Sequence, residues 1–321
     1  MLQASDFKEK QILLLESKEL TTSEIKINNQ NLQINFEDGR KEKVRLQHLV
    51  AVYVIGDATL TTKLIEKLLK TGGSLFLLKQ NMQTYAAFNA VAEGNYLLRN
   101  KQYHFPVKTE LDIAKQIVLN KIKNQLALLR SIEVKKIQGK SLLTYKKDTV
   151  KKINEAVDFA SLRGLEGSVS KDFFALYFES IDWRRRVPRG KVDEINILLD
   201  IGYTYLFNFV DSILRLFGFD TYKGVYHQLF FQRKSLSCDL MEPFRCIIDR
   251  AVLKMYNLSQ FDKSDFSYKN GSYYLKYQFN SKYSRIFLQE LLKHKMEIYG
   301  YIRSYYYHIM NEDNLGEFKI R

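Results

Sequence analysis

The 321 residues, 45% hydrophobic and 27% charged with only 3 prolines and 15 glycines, have the composition of a globular protein and exclude a fibrous or disordered one. That length exceeds what one core usually covers, so two domains are expected. The formal net charge of +14 points to polyanionic partners, nucleic acid first, and two cysteines are too few for a disulfide framework or a cysteine zinc site.

The opening residues, MLQASDFKEKQILLLES, carry both charge signs and a short apolar run, unlike a signal peptide. Short runs rich in branched residues then read as strands: residues 11–17, 24–27, 32–37 and 43–56. Asn28-Asn29 and Asp38-Gly39 supply turns between them. Leu60, Leu64, Ile65, Leu68 and Leu69 fall at helical spacing, ended by Gly72-Gly73, and residues 74–79 and 84–89 add two strands. The first 90 residues thus read as a small β-rich domain with one helix.

Near residues 90–95 the period changes from strand to helix. Helices are expected over 95–105, 111–137 (with a lysine-rich outer face) and about 141–161. Glu166 lies between Gly164 and Gly167, just before an apolar periodic run, at the expected first turn of the next helix. A carboxylate there is favoured by the helix dipole, while the glycines permit close approach of a ligand or another backbone. Arg184, Arg185, Arg186 and Arg189 beside Trp183 form a basic cluster suited to phosphate contact or to a solvated loop. Residues 193–217 read as a buried helix; Asp200, Asp211 and Arg215 interrupt the apolar region 195–219, so no membrane span is expected.

The stretch 226–245, YHQLFFQRKSLSCDLMEPFR, holds His227, Asp239 and Glu242. The acids are spaced i, i+3, which on one helical face sets their Cβ atoms about 5–6 Å apart. Two buried carboxylates at that spacing need a cation. Either a divalent ion or Arg245 can supply it. The combination of Glu166, His227 and the acid pair suits an ion that polarises a phosphate. Asn270-Gly271 between aromatic arms is a hairpin signal, and ten of the 21 tyrosines lie from Tyr268 to Tyr307. Those tyrosines are expected to pack, with base stacking as the alternative. No P-loop, Gly-x-Ser-x-Gly elbow or Cys-x-x-Cys pair occurs.

Five blocks in order resemble the CRISPR-associated adaptation integrase family, that of the first-numbered Cas protein. They are VYVIGDATLTTKLIEKLLKTGGSLFLL, NYLLRNKQY, RGLEGSVSKDFF, VPRGKVDEINILLDIGYTYLFNFV and GFDTYKGVYHQLFFQRKSLSCDLMEPFR. The resemblance implies an α+β protein: a β-rich dimerisation domain over 1–92, then a larger, mainly α-helical catalytic domain over 93–321 containing a β-hairpin. It implies metal-dependent transesterification on double-stranded DNA, in which a 3′-hydroxyl attacks a phosphodiester of a repeat array. It also implies a homodimer, a small companion (the second-numbered Cas protein) and a cytoplasmic setting. Glu166, His227 and Glu242 then correspond to ligands of Mn²⁺ or Mg²⁺, with Asp239 as their neighbour. Many members carry aspartate where Glu242 stands. Arg184, Arg185, Arg186, Arg189 and Arg245 are the expected DNA contacts. Two other functions stand against this: a DNA-binding scaffold whose acids only form ion pairs, and a stand-alone nuclease on branched or repair DNA.

Overall fold

The computed structural model describes residues 10–16, 25–36, 39–79, 83–89, 95–181 and 183–321. The first nine residues, Asp38 of the expected Asp38-Gly39 turn, and most of the expected change of period (90–94) lie outside the described residues. The architecture is α+β, with a strand-rich N-terminal region and a mainly helical remainder. Contacts divide the chain into two compact units. One comprises Met1–Tyr103, Asn208–Thr221 and Ile302–Asp313; the other comprises His104–Phe207, Tyr222–Tyr301 and Asn314–Arg321.

In the first unit, β1 (Gln11–Glu16) pairs parallel with β5 (Leu49–Ile55), which pairs parallel with β6 (Ser74–Leu78). Strand β7 (Thr84–Phe88) closes this sheet antiparallel to β6. A second, antiparallel sheet joins β2 (Lys26–Asn28), β3 (Asn31–Asn35) and β4 (Lys41–Arg45). The run 43–56, expected as one strand, is broken by a 3₁₀ turn at Leu46–His48, which sends β4 and β5 to different sheets. All seven residues of β5 are buried, which is why this strand reads as an unbroken apolar run. Helix α1 (Thr62–Lys70), capped by Thr61, buries Leu64 and Leu68 with Leu15, Ile34, Val52, Val54 and Leu75. A Cβ on Gly73 would meet Leu68 Cδ1 at 2.6 Å and Leu49 O at 3.2 Å, so glycine lets the chain turn closely from α1 into β6. Helix α2 (Tyr96–Tyr103) ties to this unit through Arg99 Nε, which donates to Gly218 O at 3.0 Å.

The second unit is helical; the C-terminal parts of two helices that begin in it, residues 208–217 and 302–311, belong to the first unit. Helix α3 (Val107–Ser131) is followed by a short ribbon of β8 (Lys136–Ile137) and β9 (Lys140–Ser141), then α4 (Leu142–Asn154) and α5 (Phe159–Tyr177). The helix expected over 141–161 is therefore two pieces. Residue Asp158 ends the gap as the N-cap of α5, accepting from Ser161 N at 2.7 Å in a capping box. Helix α6 (Glu194–Phe217) is long and apolar enough to cross a membrane, but 78% of its apolar window is buried within the protein, as in a core helix. A Cβ on Gly202 would lie 2.4 Å from Ile248 and 2.8 Å from Phe287. This allows α8 (Arg245–Asn257) and α9 (Asn280–Lys293) to pack closely on α6, while α7 (Ser235–Met241) precedes α8. The hairpin β10 (Phe266–Lys269) and β11 (Ser272–Leu275) turns on Asn270 and Gly271, both left-handed at φ 49° and 76°. Helix α10 (Lys295–Asn311) is followed by a tail pinned by two asparagines of α3. Asn120 accepts from Phe318 N at 3.0 Å, and Asn124 accepts from Ile320 N at 2.8 Å while donating to Pro243 O at 3.2 Å.

Candidate active site

Glu166 is not in a first turn. Helix α5 begins about two turns earlier, and Gly164 and Gly167 lie inside it. A Cβ on either glycine would have no neighbour within 4 Å, so nothing in the described fold requires glycine there. The Glu166 carboxylate accepts from Ser170 Oγ at 3.1 Å and from the ammonium of Lys121 on α3. That same ammonium lies 2.7 Å from Glu242 Oε2.

Glu242 and Asp239 are not equivalent. The i, i+3 spacing falls across the junction of α7 with a 3₁₀ turn at Glu242–Phe244, where Pro243 ends regular helical bonding. Glu242, 4% exposed, faces Lys121, and its Oε1 lies 2.9 Å from an Arg245 nitrogen. Burial alone would raise its pKa, but Arg245 and Lys121, with a smaller contribution from His227, pull it down to about 2. Oε2 accepts no well-aligned hydrogen bond despite its proximity to the ammonium.

Asp239, fully buried, instead organises the backbone before the histidine. Its Oδ2 accepts from Val225 N at 2.7 Å and Tyr226 N at 2.9 Å, and its Oδ1 accepts from His227 N at 2.8 Å. Oδ1 also lies 2.6 Å from His227 Nδ1. A carboxylate oxygen accepts, so Nδ1 carries a proton towards Asp239 and the ring is oriented with Nε2 as its other nitrogen. Gly224 makes this possible: a Cβ there would meet Asp239 Oδ2 at 2.6 Å and His227 O at 2.9 Å. Just beyond, Leu229, Phe230 and Phe231 stand exposed.

The arginines divide. Arg184, Arg185 and Arg189 are exposed. Arg186 turns inward to Asp200 and donates to Asn196 Oδ1 at 2.9 Å. Its guanidinium and that of Arg245 lie 5.4 and 4.6 Å from the centroid of the buried Tyr203 ring. The Tyr203 hydroxyl donates to Asp249, whose pKa burial pushes up to about 7 against the lowering effect of Tyr203 and Arg245. Arg245 is thus a counter-charge for Glu242, the role left open by its spacing.

Lys121 is the residue that sequence reasoning missed. It lies in the helix expected to carry a lysine-rich outer face. Yet it falls on the stripe Ala114, Val118, Lys121, Gln125 and Leu128, which is buried throughout. Among the described residues no three His, Cys, Asp or Glu side chains gather as an ion-binding group; Glu166 and Glu242 share the lysine instead.

Two carboxylates converging on one cation beside an oriented imidazole, in a chain of net charge +14, are a donor set suited to chemistry on phosphodiesters. The chain belongs to the Cas1 family, whose model, CRISPR associated protein Cas1, matches residues 20–291. A "CRISPR-associated endonuclease Cas1 1" of Thermodesulfovibrio yellowstonii is 27% identical over 304 residues, covering 91% of this chain and 96% of that protein. A Cas1 protein from Thermotoga maritima has the same fold at a TM-score of 0.74 and 19% identity, covering 96% of this chain and 100% of that one. A partial Cas6-RT-Cas1–Cas2 complex gives a TM-score of 0.75 at 25% identity, with 97% and 99% coverage. A casposase bound to integration product gives 0.75 at 20% identity, with 95% and 92% coverage.

Proposed function

We propose that this chain is a divalent-metal-dependent DNA integrase and endonuclease of CRISPR adaptation, joining 3′-hydroxyl ends of short double-stranded DNA to a repeat array. The observation that carries this reading is the meeting of Glu166 and Glu242, from distant segments of a Cas1-family chain, around one positive charge. Carboxylate oxygens and an imidazole nitrogen suit Mn²⁺ or Mg²⁺. The buried Glu242 Oε2, which accepts no aligned hydrogen bond, retains capacity for an ion. Glu166, Glu242 and His227 Nε2 would hold it. When bound, such an ion polarises the phosphate and stabilises the attacking or leaving oxygen of an in-line displacement.

The chain's own side chains do the remaining work. Asp239 keeps the proton on Nδ1 of His227 and leaves Nε2 to donate its lone pair. Arg245 keeps Glu242 ionised. Gly164 and Gly167 leave a bare helical surface on either side of Glu166 for a DNA backbone. Arg184, Arg185 and Arg189 contact phosphates. In the joining step, the incoming 3′-oxygen loses its proton to solvent and bonds to a repeat phosphorus as the bond from that phosphorus to its leaving oxygen breaks; the leaving oxygen takes up a proton from solvent, so phosphodiester number is unchanged. Residues 1–92 serve dimerisation and 93–321 catalysis, in the cytoplasm, with a Cas2-type companion of the kind named in the related complex.

In a joining assay with Mn²⁺, a 3′-hydroxyl duplex and a repeat duplex, Glu166→Ala is expected to lower the rate roughly a thousandfold, about 4 kcal/mol of transition-state stabilisation. Native-like joining by that variant would sink the assignment, and cleaved ends without joined product would favour the stand-alone nuclease. The pairing of both carboxylates with Lys121 and Arg245 favours one second reading, a non-catalytic DNA scaffold. A scaffold shows no Mn²⁺-dependent rise in Tm, whereas a bound ion stabilises the native state. Replacing Arg184 and Arg185 together with Ala should weaken duplex binding and reduce the salt slope by about 1 per residue. An unchanged slope in salt-titrated fluorescence anisotropy would mark both as solvated loop residues.

A further inference from the structure

Nothing in a site of two carboxylates and an imidazole calls for an ammonium, yet Lys121 is buried where Glu166 and Glu242 converge. It is 8% exposed and contacts both Glu166 Oε1 and Glu242 Oε2. Without a cation, the two carboxylates would repel one another in a site with little water to screen them.

We propose that Lys121 is a tethered stand-in cation, which holds the two carboxylates together in the metal-free protein and yields its position when a divalent ion binds; this rests on the metal-dependent reading above. Three observations support exchange over a permanent bridge. The ammonium touches one oxygen of each of the two carboxylates that would hold the ion. Its contact with Glu242 Oε2 lacks hydrogen-bond alignment, so the hold there is mainly Coulombic and transferable to another cation. The displaced head also has somewhere to go. Gln125 lies one helical turn further along α3, and its buried Oε1 has no hydrogen-bond partner. Lysine suits this use because its point charge rides on a flexible four-carbon stem. The neighbouring Gln125 Nε2 donates to Ser170 Oγ at 3.4 Å, and Ser170 in turn donates to Glu166, so the berth and the ligand belong to one hydrogen-bonded group.

Lys121 is accordingly a positioning residue with a measurable effect on ion uptake. In calorimetric titration of the metal-free, full-length protein with Mn²⁺, Lys121→Met is expected to bind the ion roughly tenfold more tightly, because a competing charge has been removed. The metal-free Tm of that variant falls, and its Mn²⁺-induced rise in Tm exceeds that of the native chain. Lys121→Arg keeps the charge, and binds Mn²⁺ no more tightly than native. Equal or weaker Mn²⁺ binding by Lys121→Met overturns the proposal. Should Lys121→Met fail to fold, Gln125→Met carries the test. Removing the berth should weaken Mn²⁺ binding severalfold while leaving the metal-free Tm within a few degrees of native; unchanged affinity overturns the exchange. Glu166→Ala serves as the site control. A native protein that takes up no Mn²⁺ would sink the metal-dependent reading itself. Native uptake that Glu166→Ala abolishes and Lys121→Met leaves unchanged would sink only the role given to Lys121.

Discussion

Asp239→Asn is expected to lower the Tm of the metal-free protein by roughly 3–9 °C and to slow strand joining about 10- to 100-fold at a temperature where the variant remains folded. The native carboxylate is fully buried and serves four donors: the backbone nitrogens of Val225, Tyr226 and His227, and Nδ1 of His227. An amide has one accepting oxygen, and its –NH₂ must face donors wherever it is turned. If the oxygen keeps His227, then Val225 N and Tyr226 N face an N–H group. If it keeps those two, the imidazole loses the partner that fixes its tautomer. Each buried donor left unmatched costs about 1–3 kcal/mol, so two of them cost roughly 2–6 kcal/mol. That is a large share of the ~5–15 kcal/mol by which proteins are usually stable. Calorimetry reads the first effect and a joining assay below the variant's Tm reads the second. A variant that melts and joins like the native chain would remove Asp239 from the role described.

This division of labour between Asp239 and Glu242 was only partly legible in the sequence. Spacing gave two nearby acids, and family resemblance singled out Glu242. Neither could show that the helix carrying Asp239 passes into a 3₁₀ turn at Glu242, or that the two carboxylates face different partners. The backbone amides that Asp239 serves carry no sequence signal, since any residue supplies an N–H. Gly224 is the one local trace, because any side chain there would collide with the Asp239 carboxylate.

Elsewhere, legibility followed how local the cause was. The hairpin at Asn270-Gly271 and the apolar central strand β5 depend on turn chemistry and burial, and both stand where expected. The helix carrying Glu166 begins earlier than the apolar periodic run that follows this residue in the sequence. The decisive signal was Asp158 with Ser161, a reciprocal cap three residues apart. Arg186 and Lys121 are the opposite case. Each looks like a surface cation in its own segment, and each is drawn inward by acids from other elements: Asp200 for Arg186, Glu166 and Glu242 for Lys121. Only the position of Lys121 on an otherwise buried stripe hinted at this.

Glu242→Gln should separate the charge of this residue from its shape. The amide fills the same space, so the 3₁₀ turn braced by Asn124 and Phe318 keeps its packing. Joining with Mn²⁺ is expected to fall roughly 10²- to 10³-fold, about 3–4 kcal/mol, because an anionic ligand has been removed. The variant also loses the partner of Arg245 and half the charge facing Lys121. Breaking a buried pair from one side costs up to about 3–5 kcal/mol, and an amide that still accepts a hydrogen bond keeps the loss towards the lower end. The pH dependence provides a readout independent of activity. Glu242 has a folded pKa of about 2 against an ordinary 4.5, so its ionised form contributes stability that is fully present above pH 4.5. That contribution, on the order of 3 kcal/mol, is lost as pH falls from 4.5 through about 2. In Glu242→Gln no such group titrates. The stability difference between native and variant, measured by denaturant unfolding with chelator present, should therefore shrink steadily as pH drops through this window. A difference that stays constant with pH would mean that Glu242 does not hold its charge against Arg245 and Lys121, and would remove the electrostatic basis for treating it as a ligand kept ready for an ion.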